Sequence, residues 1–224
     1  PEAEHAYFAL VELVYGGATV DEFQRGLIDY HAGANYPDAY GAAIRAFDRY
    51  LSAEPSDRID ETLFYRALAQ RAVGQLQESL ESLEQLIAAH PESAMLVDAW
   101  YEKGITQAQA GNTDGAIASF AELAARFSES DLAPKALWQA GRTRQGEGSL
   151  SHAAGFYEFL ARLSPAHEDA DAALWYAGLN RYRSGEIRRA VRDWQWLAES
   201  FPDSIYLPKT LYWLGKVGAS PSDA

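Results

Sequence analysis

The chain has 224 residues, of which 48% are hydrophobic and 12% aromatic, which is enough for a continuous core and too much for a disordered protein. It carries 32 acidic and 19 basic residues, and this net charge of −13 argues against general nucleic-acid binding, which needs positive charge facing the phosphates. It has no cysteine, which excludes disulfides and thiolate metal sites, and no apolar run approaches the roughly 18 residues that span a bilayer.

The first predicted element is an apolar helix at residues 3–15, which Gly16 and Gly17 would end. It looks like the second helix of a truncated repeat. Asp21 is a predicted N-cap for the helix that follows. Because the chain begins at Pro1 without Met and without a signal-peptide pattern, we expect a mature protein or a piece of a longer one. The small, polar tail at 218–224 predicts no regular structure.

The rest of the chain repeats the order helix, turn, helix, loop with a step of 37 residues. Two series of glycines and one series of aromatic residues share this step. They are Gly104, Gly141, Gly178 and Gly215; Gly74, Gly111, Gly148 and Gly185; and Phe64, Tyr101, Trp138, Trp175 and Tyr212. Such a period predicts stacked helix pairs, because one pair cannot bury its apolar face alone.

We therefore predict a single all-α domain over residues 1–224, an α-α superhelix or solenoid of about five helix pairs with partial helices at the ends. The predicted units cover residues 21–60, 61–97, 98–133, 134–170 and 171–207, with a partial unit at 208–217.

The second helix of each unit carries a small residue, then an aromatic residue four positions later, then a leucine three positions later. Clear examples are Ala116, Phe120 and Leu123; Ala153, Tyr157 and Leu160; and Ala190, Trp194 and Leu197. These steps place the three side chains on one helical face. We expect the small residue to admit the paired helix and the ring to fill the space beside it.

No pattern indicates a catalytic, cofactor or metal site. The five histidines are scattered, and no His-Glu-x-x-His motif occurs. We expect the Glu-Ser pairs to be solvated on helix surfaces or in loops. They begin at Glu78, Glu81, Glu92, Glu129 and Glu199. We expect no cofactor, no metal and no catalytic residue within the chain.

The motif Ala116-x3-Phe120, the pair Leu214-Gly215 and the prolines after several second helices resemble tetratricopeptide repeats. The step of 37 exceeds the usual 34 of that family. The family's first-helix tyrosine is replaced here by Gln107, Arg144 or Arg181, which argues against standard recognition of peptide tails.

Residues 174–216 and 21–33 also resemble bacterial cell-envelope proteins, above all the superhelical N-terminal region of soluble lytic murein transglycosylases. That resemblance implies an exported, periplasmic or extracytoplasmic, non-catalytic scaffold. It would position a catalytic domain beyond Ala224, or bind peptidoglycan glycan strands or protein partners. Whether the parent protein is an enzyme stays open, because the Gly-Leu-Met-Gln motif of those enzymes is missing here.

Two alternatives remain at this point. One is a stand-alone protein–protein adaptor, such as a factor for outer-membrane assembly or division. The other is a cytosolic tetratricopeptide adaptor for peptide tails.

The sequence suggests two candidate binding surfaces, one from the resemblance and one from the distribution of charge. In tetratricopeptide arrays the aromatic series would face the inner, concave surface, where rings stack on sugars or grip a peptide. The predicted groove residues are Phe64, Tyr101, Trp138, Trp175, Tyr212, Tyr30, Tyr182 and Arg142. The alternative is that the rings pack between successive first helices.

The second candidate is a basic patch, which would meet anionic peptidoglycan, a catalytic domain or a lipid surface. It consists of Arg181, Arg183, Arg188, Arg189 and Arg192. The alternative is a solvated helix face with local ion pairs to Glu186 and Asp193.

Overall fold

The computed structural model describes residues 2–218, which contain twelve α-helices and no strand. The helices are α1 (Glu2–Tyr15), α2 (Glu22–Ala32), α3 (Asp38–Ser52), α4 (Ile59–Ala72), α5 (Leu76–Ala89), α6 (Leu96–Gln109), α7 (Thr113–Arg126), α8 (Leu132–Gly146), α9 (Leu150–Leu163), α10 (Ala170–Arg183), α11 (Ile187–Ser200) and α12 (Leu207–Gly218). The predicted all-α class is confirmed, with five helix pairs and a single helix at either end. Of the tail predicted to be irregular, Gly218 ends α12 and residues 219–224 lie outside the described residues.

The helices form two compact units, Pro1–Ala116 and Ile117–Ala224, and the boundary falls inside α7. In the first unit each helix from α1 to α5 packs on the helix that follows it. In the second unit the same holds from α8 to α12. This packing between neighbours in sequence is typical of helical repeats. The single domain over residues 1–224 and its unit boundaries stay predictions.

The glycine series Gly74, Gly111, Gly148 and Gly185 lies in the turns inside the helix pairs. Each of these four glycines has a positive φ between 78° and 85°. Each turn has three residues, and only glycine enters this region of backbone space without strain, which explains the residue type and its spacing. The first pair differs, because its turn at 33–37 has five residues and Gly33 has a φ of −56°.

The other glycine series marks the close approach of paired helices. A Cβ at Gly141 would lie 2.8 Å from Cε1 of Tyr157, and a Cβ at Gly178 would overlap the indole of Trp194. Both rings are fully buried. The predicted contact between a glycine of the first helix and a ring of the second is therefore confirmed in the second unit.

Local hydrogen bonds define where helices begin. The Asp21 carboxylate accepts a hydrogen bond from the backbone N–H of Gln24 at 2.9 Å, which confirms the predicted N-cap. In the loop after α11, the Ser204 hydroxyl donates to Asp171 at 2.6 Å, and its oxygen accepts from the backbone N–H of Tyr206 at 3.0 Å. These bonds tie that loop to the first turn of α10.

One expectation about polar residues is wrong. Ser79 and Ser82 follow exposed glutamates but are buried. The Ser79 hydroxyl donates to the carbonyl oxygen of Ala67, and the Ser82 hydroxyl donates to Oε1 of Gln70, each at 2.8 Å. They are buried because α5 packs on α4 through small residues whose hydroxyls find acceptors there.

Candidate partner-binding surface

The aromatic series is exposed unevenly. Phe64 and Trp175 are 8% and 6% exposed, Tyr101 and Trp138 are half-buried, and Tyr212 is 64% exposed. Phe64 and Trp175 are therefore packed side chains and not free groove rings. A binding role for the other three rings stays a prediction.

The reason for the burial of Trp175 lies in its neighbours. Its ring stacks on Trp194, with centroids 6.1 Å apart, and on Tyr206, at 6.3 Å. Stacked rings of this kind contribute about 0.5–1.5 kcal/mol beyond the area that they bury. The step of 37 residues places Trp175 in register with Tyr212, but the step does not show that Trp194 and Tyr206 lie against the ring of Trp175.

A row of aromatic side chains runs along the second unit from α8 to α12. Trp138 meets Tyr176 edge-on at 5.7 Å, and Tyr176 meets Tyr206 at 6.4 Å. The ammonium group of Lys209 lies 4.1 Å from the centroid of Tyr206 and 4.6 Å from that of Trp175. These distances are typical of cation–π contacts. The row thus joins the first helices of the second unit and carries a cation at its α12 end.

Sequence reasoning missed Tyr176, Tyr206 and Lys209, although two signals were available. Tyr176 belongs to a series one residue after the predicted one, with the same step. That series is Tyr65, Glu102, Gln139, Tyr176 and Trp213. Glu102 and Gln139, its two polar members, interrupt the aromatic residues of this series, so the series is not evident from the sequence. Lys209 lies two steps of 37 residues after Lys135, and both lysines are exposed.

The remaining predicted groove residues of the second unit lie on the same helices. Arg142 is exposed on α8, one turn after Trp138. Burial raises the pKa of the neighbouring Tyr157 to about 12, and the charge of Arg142 opposes that shift. Tyr182 is half-buried against Trp213, with centroids 4.8 Å apart.

Tyr30 lies in a separate aromatic cluster in the first unit. Its ring meets Tyr65 at 5.3 Å and Tyr40 at 5.8 Å, and burial raises its pKa. In the same unit Arg71 and Glu102 form an ion pair of 2.5 Å.

The predicted basic patch does not include Arg181, which is only 6% exposed. Its guanidinium donates to Oδ1 of Asp193 at 2.5 Å and to the Glu158 carboxylate. Burial raises the pKa of Asp193 to about 7, and the charge of Arg181 opposes that shift. The prediction that Arg181 belongs to an exposed patch is therefore wrong. Its side chain links α9, α10 and α11 inside the second unit.

The other four arginines of the patch are exposed on α10 and α11. They are Arg183, Arg188, Arg189 and Arg192. Arg189 forms an ion pair with Glu186 at 2.9 Å, as the alternative interpretation expected for this helix face. A ligand for these arginines stays a prediction.

Neither a membrane span nor a metal site is found in the described part of the chain. No helix there is long and apolar enough to cross a membrane. Among the side chains that the structure describes, no group of three or more His, Cys, Asp or Glu is arranged to hold a metal ion.

The helix pairs, their glycine contacts and their turns define an all-α protein of the tetratricopeptide-like solenoid class. Residues 65–131 match the family model for the tetratricopeptide repeat. Among curated proteins, no relative matches this sequence.

Solved structures share the fold. The MamA protein is 20% identical, with a TM-score of 0.58 over 80% of this chain and 92% of its own. MamA from Desulfovibrio magneticus RS-1, from residue 41 to its end, is 16% identical, with a TM-score of 0.54 over 84% and 100%. YrrB, described as a TPR protein with an unusual peptide-binding site, is 16% identical, with a TM-score of 0.54 over 86% and 91%. At these identities the likeness establishes the fold alone.

Proposed function

We propose that this chain is a protein-interaction scaffold and that it binds a polypeptide partner on an aromatic-cationic surface of its second unit. This surface consists of Trp138, Arg142, Tyr176, Lys209 and Tyr212. The observation that carries the proposal is the ring contact from Trp138 through Tyr176 to Tyr206, with Lys209 lying over the last ring.

The chemistry of this surface suits a peptide. Tyr, Trp and Arg are the residue types enriched at the energetic centres of protein interfaces. The rings would contact apolar side chains, while Arg142 and Lys209 would contact carboxylates. Exposed cations beside rings stand out in a chain whose net charge is −13. The tetratricopeptide match and the peptide-binding site of YrrB are consistent with this role.

The packing beneath the surface also favours recognition. Trp175 and Tyr157 are buried under it, and close glycine contacts hold the helix pairs together. A surface fixed in this way loses little conformational entropy when a partner binds.

The test is a selection of random dodecapeptides displayed on phage, carried out with the intact chain. Selected peptides are then measured by fluorescence anisotropy against Tyr212→Ala and Arg142→Ala. Because truncation of a central interface residue costs about 2 kcal/mol, we expect each variant to weaken binding by roughly tenfold or more. The control is Val73→Ala, a truncation to the same residue at a 42% exposed site of the first unit. Peptides that bind all variants alike would refute the proposal.

A narrower proposal rests on the sequence resemblance to lytic transglycosylases. In it the chain is exported to the cell envelope, where it positions a catalytic domain or contacts glycan strands. The family match and the solved structures support only the coarser scaffold role, and a stand-alone adaptor is the alternative. The four exposed arginines of α10 and α11 supply the positive charge that an anionic glycan requires.

This narrower proposal is tested by sedimenting the chain with purified peptidoglycan sacculi at about 50 mM and about 300 mM salt. We expect retention at low salt and its loss at high salt, because the contacts are ionic and exposed. Replacing Arg183, Arg188, Arg189 and Arg192 by Gln should abolish retention. Failure to sediment at low salt would refute glycan binding and leave the protein-partner proposal intact.

A further inference from the structure

The first helices of the second unit carry an excess of positive charge. The sequences of α8, α10 and α12 contain three, two and two lysine or arginine residues, and their one acidic residue is Asp171. The first helices of the first unit, α2, α4 and α6, contain two acidic residues each and one, two and one lysine or arginine. In a chain whose net charge is −13, the first helices of the second unit are therefore set apart by their charge.

The cations of the two units also differ in their partners. In the first unit, every lysine and arginine of α2, α4 and α6 forms an ion pair with a carboxylate. The pairs are Arg25–Asp29, Arg66–Asp48, Arg71–Glu102 and Lys103–Glu84. In the second unit, Lys135, Arg142 and Lys209 are exposed and form no ion pair or hydrogen bond with any residue that the structure describes. Their charges are therefore available to an anionic partner.

Two of these cations lie where a helix favours the opposite charge. Lys135 is the fourth residue of α8 and Lys209 is the third residue of α12, and neither first turn contains an acidic residue. The first turns of α2, α4, α6 and α10 all contain Asp or Glu. Because the N-terminal end of a helix carries a partial positive charge, a carboxylate there stabilises the helix and an ammonium group does not. Helix stability therefore does not explain these two lysines.

Lys135 and Arg142 lie on either side of a ring on α8. Steps of three and four residues place Lys135, Trp138 and Arg142 on one helical face. The ring of Trp138 is half-buried, whereas both cations are exposed. The α8 end of the aromatic row thus carries two positive charges, and its α12 end carries that of Lys209.

The length of the row suits a short extended chain. The contacts from Trp138 to Tyr176, from Tyr176 to Tyr206 and from Tyr206 to the Lys209 ammonium measure 5.7, 6.4 and 4.1 Å. The ammonium therefore lies no more than about 16 Å from the ring of Trp138. An extended chain covers this distance in about five residues, at ~3.3 Å for each residue.

We propose that the partner segment is an extended, acidic stretch of polypeptide that crosses α8, α10 and α12. This inference rests on the proposed function and names the class of partner. Carboxylates at one end of the segment pair with Lys135 and Arg142, and a carboxylate at the other end pairs with Lys209. An apolar side chain between them contacts the half-buried ring of Tyr176.

The charge of the whole chain favours a polypeptide over a single-stranded nucleic acid. Each nucleotide of a nucleic acid adds a phosphate charge, which the net charge of −13 repels. A polypeptide can place carboxylates only opposite the cations and an apolar side chain opposite the rings.

The experiment measures the binding of dye-labelled heptapeptides with blocked ends to the intact chain by fluorescence anisotropy. The probe has the sequence Asp-Asp-Ser-Phe-Ser-Asp-Asp. Two matched peptides replace all its aspartates by Asn or its Phe by Ala. We expect the Asn peptide to bind at least about tenfold more weakly than the probe. Raising the salt from about 50 mM to about 300 mM should weaken the probe and leave the Asn peptide nearly unchanged.

Variants of the chain locate the site. Lys135→Gln, Arg142→Gln and Lys209→Gln should each weaken the probe by about two- to fivefold, which is the range of an exposed ion pair. Arg45→Gln is the matched control, because Arg45 is an exposed cation of the first unit that likewise pairs with no carboxylate among the described residues. It should bind the probe as the unchanged chain does. Circular dichroism of each variant verifies that the helices are retained.

Equal binding of the probe and the Asn peptide overturns the acidic partner, and the polypeptide surface of the proposed function then stands without it. An equal loss for Arg45→Gln and Lys135→Gln overturns the location of the site. Tighter binding of oligothymidylate than of the probe overturns the choice of a polypeptide. Failure of all three peptides to bind also overturns this inference, and the peptides selected on phage then decide the proposed function separately.

Discussion

Trp194→Ala is the sharpest test of the core of the second unit. Trp194 lies on α11, is fully buried and covers Gly178 of the paired helix. Its ring also lies 6.1 Å from Trp175 and 5.9 Å from Trp213, so it touches both first helices beside α11. Truncation therefore removes several contacts with the paired helix α10 and one with α12, the next first helix.

The expected loss follows from two opposing terms. A buried tryptophan removes about 150–250 Å² from water, which at about 25 cal/mol per Å² corresponds to about 4–6 kcal/mol. Against this, the Nε1–H of Trp194 has no acceptor in the described part of the chain, and removing it relieves about 1–3 kcal/mol. The free energy of unfolding should therefore fall by about 3 kcal/mol.

Urea unfolding followed by far-UV circular dichroism measures this loss without relying on the tryptophan signal. In a repeat array the loss should appear in the transition of the second unit, because stability there is a sum of local terms. Trp194→Phe should stay within about 1 kcal/mol of the unchanged chain, since it keeps most of the ring and removes the unpaired N–H. A loss below about 1 kcal/mol for Trp194→Ala would refute the assignment of this ring to the core.

Three further predictions concern the same unit. Gly178→Ala should destabilise the protein by about 1–3 kcal/mol, because the new Cβ would overlap the ring of Trp194. Gly155→Ala should stabilise it by about 0.5–1 kcal/mol, because a Cβ there would meet nothing within 4 Å. Equal urea midpoints for the two variants would contradict this prediction. Trp175→Ala should cost at least about 1 kcal/mol more than Trp138→Ala in urea unfolding, because only the former is fully covered; equal losses would contradict this. Burial raises the pKa of Asp193 from its ordinary value of 3.8 to about 7 in the folded protein. The neutral carboxyl therefore favours folding most strongly below the ordinary pKa, and this contribution to stability is lost as the pH rises through the pKa of the folded state. The difference in Tm between the unchanged chain and Asp193→Asn should therefore fall from about pH 4.5 to about pH 7.5, and a constant difference would contradict the burial argument.

The sequence predicted the helices well because their signals are local. The positive φ of Gly111 and Gly185 and the contact of Gly178 with Trp194 all follow from a residue type repeated at one step. The N-cap at Asp21 is likewise a matter of residue type and position. Such features depend on neighbours within one helix pair, and the pair repeats with the period.

The candidate surface was less predictable because exposure depends on side chains from elsewhere in the chain. Trp175 and Tyr212 share a register, yet one lies under Tyr206 and Lys209 while the other faces solvent. Ser79 shows the same limit, since a hydroxyl beside a glutamate is buried where the paired helix offers an acceptor.

The sequence by itself therefore determined the helical class, the pairing of helices and the positions of their turns. These depend on spacing, glycine geometry and apolar periodicity, which are written along the chain. Only the tertiary structure decided that Arg181 is enclosed by Glu158 and Asp193 rather than displayed to a ligand. The burial of a charge depends on which carboxylates three different helices bring together, and the period of the sequence does not specify this.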